Sequence, residues 1–423
     1  MEINMIFLAS QGTVIATSVV VFLLVILLLV SILLYVKQKL TPAGTVTIDI
    51  NNGEKALEVA PGQTLLSALG SNKIFLPSAC GGGGTCAMCR CQVNDGAGSI
   101  LPTETGYFTR KEQANHWRLA CQVKVKEDIK MEIPQEILGI KKWECTVVSN
   151  DNVATFIKEF VVKLPEGENL DFRSGGYIQI DVPKITVDFK DMEIGEKYRE
   201  EYEKFGMFDL KMVNPEPTYR AYSMANHPAE GNIVMLNIRI ATPPWDRVNN
   251  GFMKVNPGIC SSFIFSRKPG DKVNISGPYG EFFIKDTDRE MMFIGGGAGM
   301  APMRSHIFHL FHTLKTGRKA TFWYGARSKK EIFYQDQFEA IEKQFPNFKF
   351  TIALSEPLPE DNWEGATGFI HQVINDEYLS KHEEPEDIEY YLCGPPMMND
   401  AVNKMLYDLG VPDEMIAYDD FGS

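Results

Sequence analysis

The first departure from mixed polarity along the chain is an uninterrupted apolar run. No charged residue occurs between Glu2 and Lys37, and Val14 to Val36 is dominated by Val, Leu and Ile. Such a run exceeds the ~20 apolar residues needed to cross a hydrocarbon core, so one membrane-spanning helix is predicted. A buried core helix would carry a polar stripe, and a secretory signal a basic leader and a small-residue cleavage site; this run has neither. After the connector 37–44 (KQKLTPAG) the pattern takes on the two-residue period of strands. Thr45 to Ile50 alternates, Asn51-Asn52-Gly53 supplies turn chemistry, and a compact β-rich module ends near Pro134, after the alternating stretch Gln122 to Ile133. From Trp143, β-like runs bounded by Pro and Gly (ECTVVSN, IKEFVVKL, YIQIDV, IVMLNIRIA, KVNISG) predict an antiparallel barrel or sandwich that ends near Ile284. Beyond it the apolar runs Met291 to Ile294, Ala320 to Tyr324 and Lys349 to Leu354 alternate with helical stretches, the signature of a parallel α/β sheet. The charged stretch 184–217, which contains GEKYREEYEKF, interrupts the β series and reads as a partly helical, solvated surface excursion, with a docking role as the alternative.

Composition refines this picture. A chain of 423 residues is too long for one core and implies several domains. With 44% apolar and 23% charged residues it is ordinary globular material, and a formal net charge of −13 excludes nucleic acid as a partner, since phosphate binding needs a basic surface. Lys37 and Lys39 follow the apolar run while the leader carries only Glu2, which places the N-terminus outside and everything after Lys37 in the cytoplasm.

Candidate chemistry begins at the cysteines. Cys80, Cys86, Cys89 and Cys91 crowd into twelve residues, and Cys121, Cys145, Cys260 and Cys393 are scattered. Clustering of this kind in a reducing compartment points to a metal site rather than to a disulfide framework. Cys80, Cys86, Cys89 and Cys121 supply the four thiolates of a [2Fe-2S] centre, and the four glycines 81–84 let backbone amides face the anionic sulfurs. Structural zinc is the alternative, but it favours two short Cys pairs, whereas here the fourth cysteine stands alone. Cys91, on an outgoing strand, reads as a small core residue. At these residues the chain resembles plant-type ferredoxins, with C-x5-C-x2-C in place of C-x4-C-x2-C. Among proteins that join such a ferredoxin to a flavin reductase, the longer spacing resembles the F-subunit family of the bacterial sodium-translocating NADH:quinone reductases. That resemblance extends over nearly the whole chain, the anchor included.

Two further motif sets carry the same resemblance. Arg220-Ala221-Tyr222-Ser223 resembles the R-x-Y-[ST] flavin motif of the ferredoxin-NADP reductase superfamily. The resemblance implies that Arg220 pairs with the FAD pyrophosphate, Tyr222 packs along the flavin and Ser223 hydrogen-bonds near its reactive nitrogen; without it, an Arg and a Tyr two apart are surface or packing residues. Gly258 to Ser262, with Ser261 and Ser262, resembles the superfamily's G-x-x-S helix start, a site for pyrophosphate, and Gly277 to Phe282, with Tyr279, resembles the segment beside the flavin. Gly295 to Pro302 follows an apolar run and precedes a helical stretch, as a dinucleotide loop does; Gly297, Gly299 and Pro302 match the superfamily's G-x-G-x-x-P. Tyr324 to Arg327 and Cys393-Gly394-Pro395-Pro396 follow two more apolar runs, so three loops line one sheet edge, with Arg327, Gly394 and Pro395 as nucleotide contacts and Cys393 near the nicotinamide. Cys393 as an inert buried thiol is the alternative. By resemblance Phe421 stacks on the flavin and moves aside for the nicotinamide; packing on the barrel is its alternative.

The implied organisation is multidomain α+β: a transmembrane anchor over 1–40, a β-grasp ferredoxin-like domain over 41–136, an antiparallel FAD-binding β-barrel over 137–285 with the insertion 184–217, and an α/β NAD-binding domain over 286–423. The implied catalytic residues are Ser223, Cys393 and Phe421. The implied activity is hydride transfer from NADH to FAD and single-electron transfer to the cluster, then to integral membrane subunits and quinone, on the cytoplasmic face of a bacterial inner membrane. A reductase feeding a soluble oxygenase would share the three soluble domains without the anchor or the longer spacing. An anchored flavin redox sensor is the second alternative. Residue types alone leave NADH against NADPH open, because Arg327 and Lys329 are suited to a 2′-phosphate.

Overall fold

A computed structural model describes residues 17–33, 35–36 and 44–419 of the chain. Residues 17–33 and 35–36 are helical, with apolar side chains such as Phe22 and Leu33 exposed. Among the described residues no helix is long and apolar enough to cross a membrane. The run 17–33 falls short of the ~20 residues a span requires, and positions 14–16 and 34 of the predicted span lie outside the described residues.

The chain divides into two compact units, the first formed by the described part of Met1–Leu76 with Ala87–Ile137. Its sheet holds β1 (Val46–Ile50), β2 (Lys55–Val59), β3 (Arg90–Asp95), β4 (Trp117–Leu119) and β5 (Ile129–Glu132) in the order β2-β1-β5-β3-β4. β1 and β5 run parallel; the other pairs are antiparallel. Asn51 and Asn52 take the left-handed conformation (φ 54° and 56°) that closes the β1–β2 hairpin, as two short polar residues before a glycine do readily. The helix Leu65–Ser71 is capped by Thr64, whose Oγ1 accepts from Ser67 N at 3.1 Å, and buries Leu65, Leu66, Ala68 and Leu69.

The second unit comprises Pro77–Cys86 and Leu138–Ser423. Its first sheet contains β6 (Lys141–Ala154), β7 (Ile157–Lys163), β8 (Tyr177–Val182), β11 (Thr218–Ser223), β12 (Ile233–Arg239) and β15 (Lys272–Tyr279), all antiparallel, in the order β11-β8-β15-β6-β7-β12. Inward residues such as Phe160, Ile178, Ile180 and Ile275 form one core. Between β8 and β11 lies a hairpin of β9 (Ile185–Asp188) and β10 (Lys211–Asn214) that embraces the helix Glu196–Lys204. The surface-excursion reading of 184–217 needs correction here. Tyr198 and Tyr202, one helical turn apart, are 6% and 1% exposed and join the barrel core, which a count of the surrounding Glu and Lys conceals. A short hairpin of β13 (Trp245–Asp246) and β14 (Gly251–Phe252) sets Trp245 edge-on to Phe205.

The second sheet of this unit is wholly parallel: β16 (Met291–Gly296), β17 (Ala320–Ala326), β18 (Phe348–Leu354), β19 (Ala366–Thr367), β20 (Glu389–Cys393) and β21 (Ile416–Tyr418), in the order β19-β18-β17-β16-β20-β21. Apolar clusters cover both faces, which explains why β16 and β20 are buried throughout. The chain steps outward from β16 to β19 and returns on the other side as β20, so the order reverses between β16 and β20, where open α/β sheets bind ligands. The bidentate pair of Arg304 and Glu230 (Nη2 to Oε1, 2.7 Å) ties the helix Met300–Phe308 to the loop between β11 and β12.

Candidate cofactor sites

The four cysteines picked out for a cluster stand as two pairs. In the second unit Cys80 and Cys86 bring their sulfurs to 3.3 Å, and in the first Cys89 and Cys121 hydrogen-bond to each other. Burial alone would raise the Cys80 thiol, but hydrogen bonds from the backbone of Thr85, Cys86 and Gly82 and from the Cys86 side chain outweigh it and bring it down to about 6. The amides of the glycine-rich loop thus already favour thiolate. Among the described residues no three His, Cys, Asp or Glu side chains form a site for a single metal ion. Each pair, within its own unit, offers two thiols, the number that one iron of a [2Fe-2S] centre takes. Cys91 is different: its sulfur points at the Arg118 carbonyl (3.9 Å) and burial pushes its thiol up to about 12, as for a core residue.

The flavin-motif residues lie along β11. Arg220, half-buried, donates to Thr218 Oγ1 and the Tyr219 carbonyl at 3.0 and 2.7 Å. Tyr222 is held by burial well above its ordinary pKa and hydrogen-bonds to Cys260. Cys260 lies in the helix Ile259–Phe265, whose first turn carries Ser261 and Ser262 after Gly258. Ser261 Oγ donates to the Gly258 carbonyl and accepts from Ala241 N. Ser262 Oγ is buried without a hydrogen-bond partner, an orphan that an incoming acceptor would satisfy. Tyr279 stacks on Tyr177 (centroids 5.2 Å apart, 18° between planes) and its hydroxyl meets Ser276 Oγ at 3.2 Å. Tyr177 escaped the sequence reading, although an aromatic opening a strand after two glycines was its signal; it pairs in register with both Ser223 and Tyr279. Ser223 is buried and bonds Asp419 Oδ2 at 2.5 Å, while Asp419 N donates to the Leu392 carbonyl beside Cys393. Asp419 therefore ties Ser223 to the end of β20 at Leu392, and the sequence reading gave it no role. Phe421 lies outside the described residues.

At the carboxyl ends of β16, β17, β18 and β20 opens a cavity of about 730 Å³, lined by Gly296, Gly297, Tyr324, Arg327, Glu356 and Pro395 among others. That volume suits a cofactor-sized ligand. Gly297 (φ +58°) has open space where a side chain would stand, the nearest atom being Ile157 Cδ1 at 3.8 Å, so its bare backbone faces the cavity. Gly299, Pro302, Cys393 and Gly394 do not line it. A Cβ on Gly299 would overlap the Cys393 carbonyl, and one on Gly394 would meet Met398; these glycines serve the packing of two loops behind the cavity. The cavity also draws Thr155 and Ile157 from the barrel, and Glu201, Lys204 and Phe205 from the 184–217 segment.

Three family models match the chain: a 2Fe-2S iron-sulfur cluster binding domain over residues 48–126, an oxidoreductase FAD-binding domain over 202–284 and an oxidoreductase NAD-binding domain over 293–404. Among solved structures the cytochrome P450 reductase GcoB of Amycolatopsis (TM-score 0.58, 23% identity, 89% of this chain and 99% of that one) and the ferredoxin reductase in carbazole 1,9a-dioxygenase (TM-score 0.57, 23% identity, 89% and 98%) share the fold. The F subunit of the Na(+)-translocating NADH-quinone reductase of Psychrobacter cryohalolentis is 56% identical over 405 residues, covering 96% of this chain and 98% of its own length. The F subunit of the same reductase in Idiomarina loihiensis is 56% identical over 394 residues, covering 93% and 95%. At 56% identity over more than nine-tenths of its length to these two F subunits, this protein belongs to the F-subunit family of the Na(+)-translocating NADH-quinone reductases.

Proposed function

We propose that this chain is the NADH-oxidising subunit of a sodium-translocating NADH:quinone reductase, taking hydride from NADH onto FAD and passing single electrons through a [2Fe-2S] cluster to membrane subunits and quinone. The observation that carries the reading is the cavity at the switch point of the parallel sheet in the same unit as the Arg220–Ser223 strand, with Ser223 and Asp419 hydrogen-bonded between the two. When bound, FAD accepts two electrons and releases them singly, and the cluster carries one at a time. Arg220, Ser261 and Ser262 hold the FAD pyrophosphate, and Tyr222, Tyr177 and Tyr279 support the ring. The Ser223 hydroxyl is kept in place by the Asp419 carboxylate. Gly297 and Pro395 admit the dinucleotide, with Gly299, Pro302, Cys393 and Gly394 setting the shape of the loops behind it and Phe421 covering the flavin. Cys80, Cys86, Cys89 and Cys121 ligate the cluster. Residues 1–40 anchor the chain in the inner membrane, with domains 41–136, 137–285 and 286–423 in the cytoplasm. The test is NADH-dependent reduction of an artificial acceptor by the full chain and by a chain lacking residues 1–40. Both should turn over, with only the full chain sustaining quinone reduction when membrane subunits are added. Loss of flavin on truncation would overturn the modular reading.

A further inference from the structure

The rim of the dinucleotide cavity carries an arrangement that the activity above does not use. Arg327 follows β17, the second strand of the parallel sheet, and that strand end is where an acidic residue reads a ribose 2′-hydroxyl or an arginine accepts a 2′-phosphate. By itself Arg327 would therefore favour NADPH. Its guanidinium is already engaged, because Nη2 and Nε meet Glu356 Oε2 at 2.8 and 3.3 Å. Glu356 follows β18, and its backbone is zipped to the same loop: Glu356 N donates to the Arg327 carbonyl and Ser355 N to the Ala326 carbonyl, at 2.8 and 2.9 Å. The pair is therefore placed by paired backbone, although both side chains are largely exposed, at 74% and 64%. The guanidinium is held further into its charged form by the hydrogen bond to Glu356 first, then by the charges of Glu356, Glu331 and Glu201. Glu331 is bound to Thr155, and Glu201 comes from the 184–217 segment.

Lys204, Arg239 and Lys330 also line the cavity, but the charges that act on Arg327 are carboxylates, and a 2′-phosphate at the end of β17 would have to displace Glu356 before it met the guanidinium. We propose that Glu356, seconded by Glu201, makes this chain select the dinucleotide without a 2′-phosphate, by occupying the guanidinium that follows β17. Glu201 would give the 184–217 segment a part in cofactor choice. The inference rests on the NADH-oxidising reading above and names the residues that decide its substrate.

The experiment uses the full chain in detergent, with an artificial acceptor and both dinucleotides measured on each preparation, so that any loss of folded protein cancels from the ratio. Glu356→Gln should raise the NADPH to NADH ratio of kcat/KM at least about tenfold, equivalent to about 1.4 kcal/mol. The competitive inhibition constant of 2′-AMP should fall in the same proportion. Glu201→Gln should shift both in the same direction by about two- to threefold, an effect that 0.5 M salt erases. Adding Arg327→Ala to Glu356→Gln should abolish the gain. An unchanged ratio, or a gain that survives the loss of Arg327, would overturn the proposal. Failure of the parent chain to oxidise NADH would instead refute the underlying reading.

Discussion

Replacing Glu104 by Gln probes what holds the cysteine-bearing loops of the first unit. Glu104 is 0% exposed and accepts from Arg118 Nε and Nη2 at 3.1 and 2.7 Å, from Leu119 N at 2.9 Å and from Leu101 N at 3.0 Å. Arg118, itself 4% exposed, also donates to the Ala97 and Gly98 carbonyls at 3.0 Å. The pair thus ties the turn at Ala97 and Gly98 and the short helix Pro102–Thr105 to β4, which leads into Cys121. Removing one partner of a buried ion pair costs about 3–5 kcal/mol, since the other charge stays buried; the Gln amide keeps a neutral contact, which puts Glu104→Gln near the lower figure. With a urea slope of about 1–3 kcal/mol/M, the unfolding midpoint should fall by about 1–3 M. The assay is urea unfolding followed by the visible absorption of the cluster, two of whose four proposed ligands, Cys89 and Cys121, belong to this unit. Burial tends to raise the Glu104 carboxyl, but the hydrogen bonds from Arg118, Leu119 and Leu101 outweigh it and leave it below the ordinary value. Its stabilisation is then full above the unfolded value of about 4.3 and is lost as pH falls through the folded value, so the gap between parent and variant must narrow on acidification. A midpoint shift under about 0.3 M at pH 7, worth under about 1 kcal/mol, or a gap that widens on acidification, would refute the reasoning.

The two loop glycines should separate by phenotype. Gly299→Ala drives a Cβ into the Cys393 carbonyl and should lower stability by about 1–3 kcal/mol along with activity, whereas Gly297→Ala, with room around it, should cost about 1 kcal/mol and chiefly raise the KM for NADH; thermal melts and steady-state kinetics compare them. Cys121→Ala should bleach the cluster and spare bound flavin, while Cys91→Ala should keep the cluster, as read by visible absorption. Asp419→Asn should slow flavin reduction by NADH about 10²-fold in stopped flow with FAD retained, because the Ser223 hydroxyl loses its charged acceptor.

The strand and helix patterning was open to a sequence reader because each sheet carries a simple period. β16 reads as a continuous apolar run because both its faces are covered, and β1 alternates because only one of its faces is. The 184–217 segment misled because charge dominates its composition while two tyrosines do the packing. Gly299 was legible as a required glycine, but the reason, the Cys393 carbonyl pressed against it, is a contact between two distant loops that no local pattern encodes. Asp419 and Glu356 went unnoticed for the same cause: a lone carboxylate acquires meaning only from the Ser223 hydroxyl or the Arg327 guanidinium that folding sets beside it.

The central claim is the order of electron flow, and rapid mixing of the full chain with NADH, followed by flavin absorbance and by the paramagnetic signal of the reduced cluster, tests it most directly. The flavin should bleach first and the cluster signal should rise afterwards, with Cys121→Ala retaining the first phase and lacking the second. Cluster reduction at an undiminished rate in a chain stripped of FAD would contradict the account.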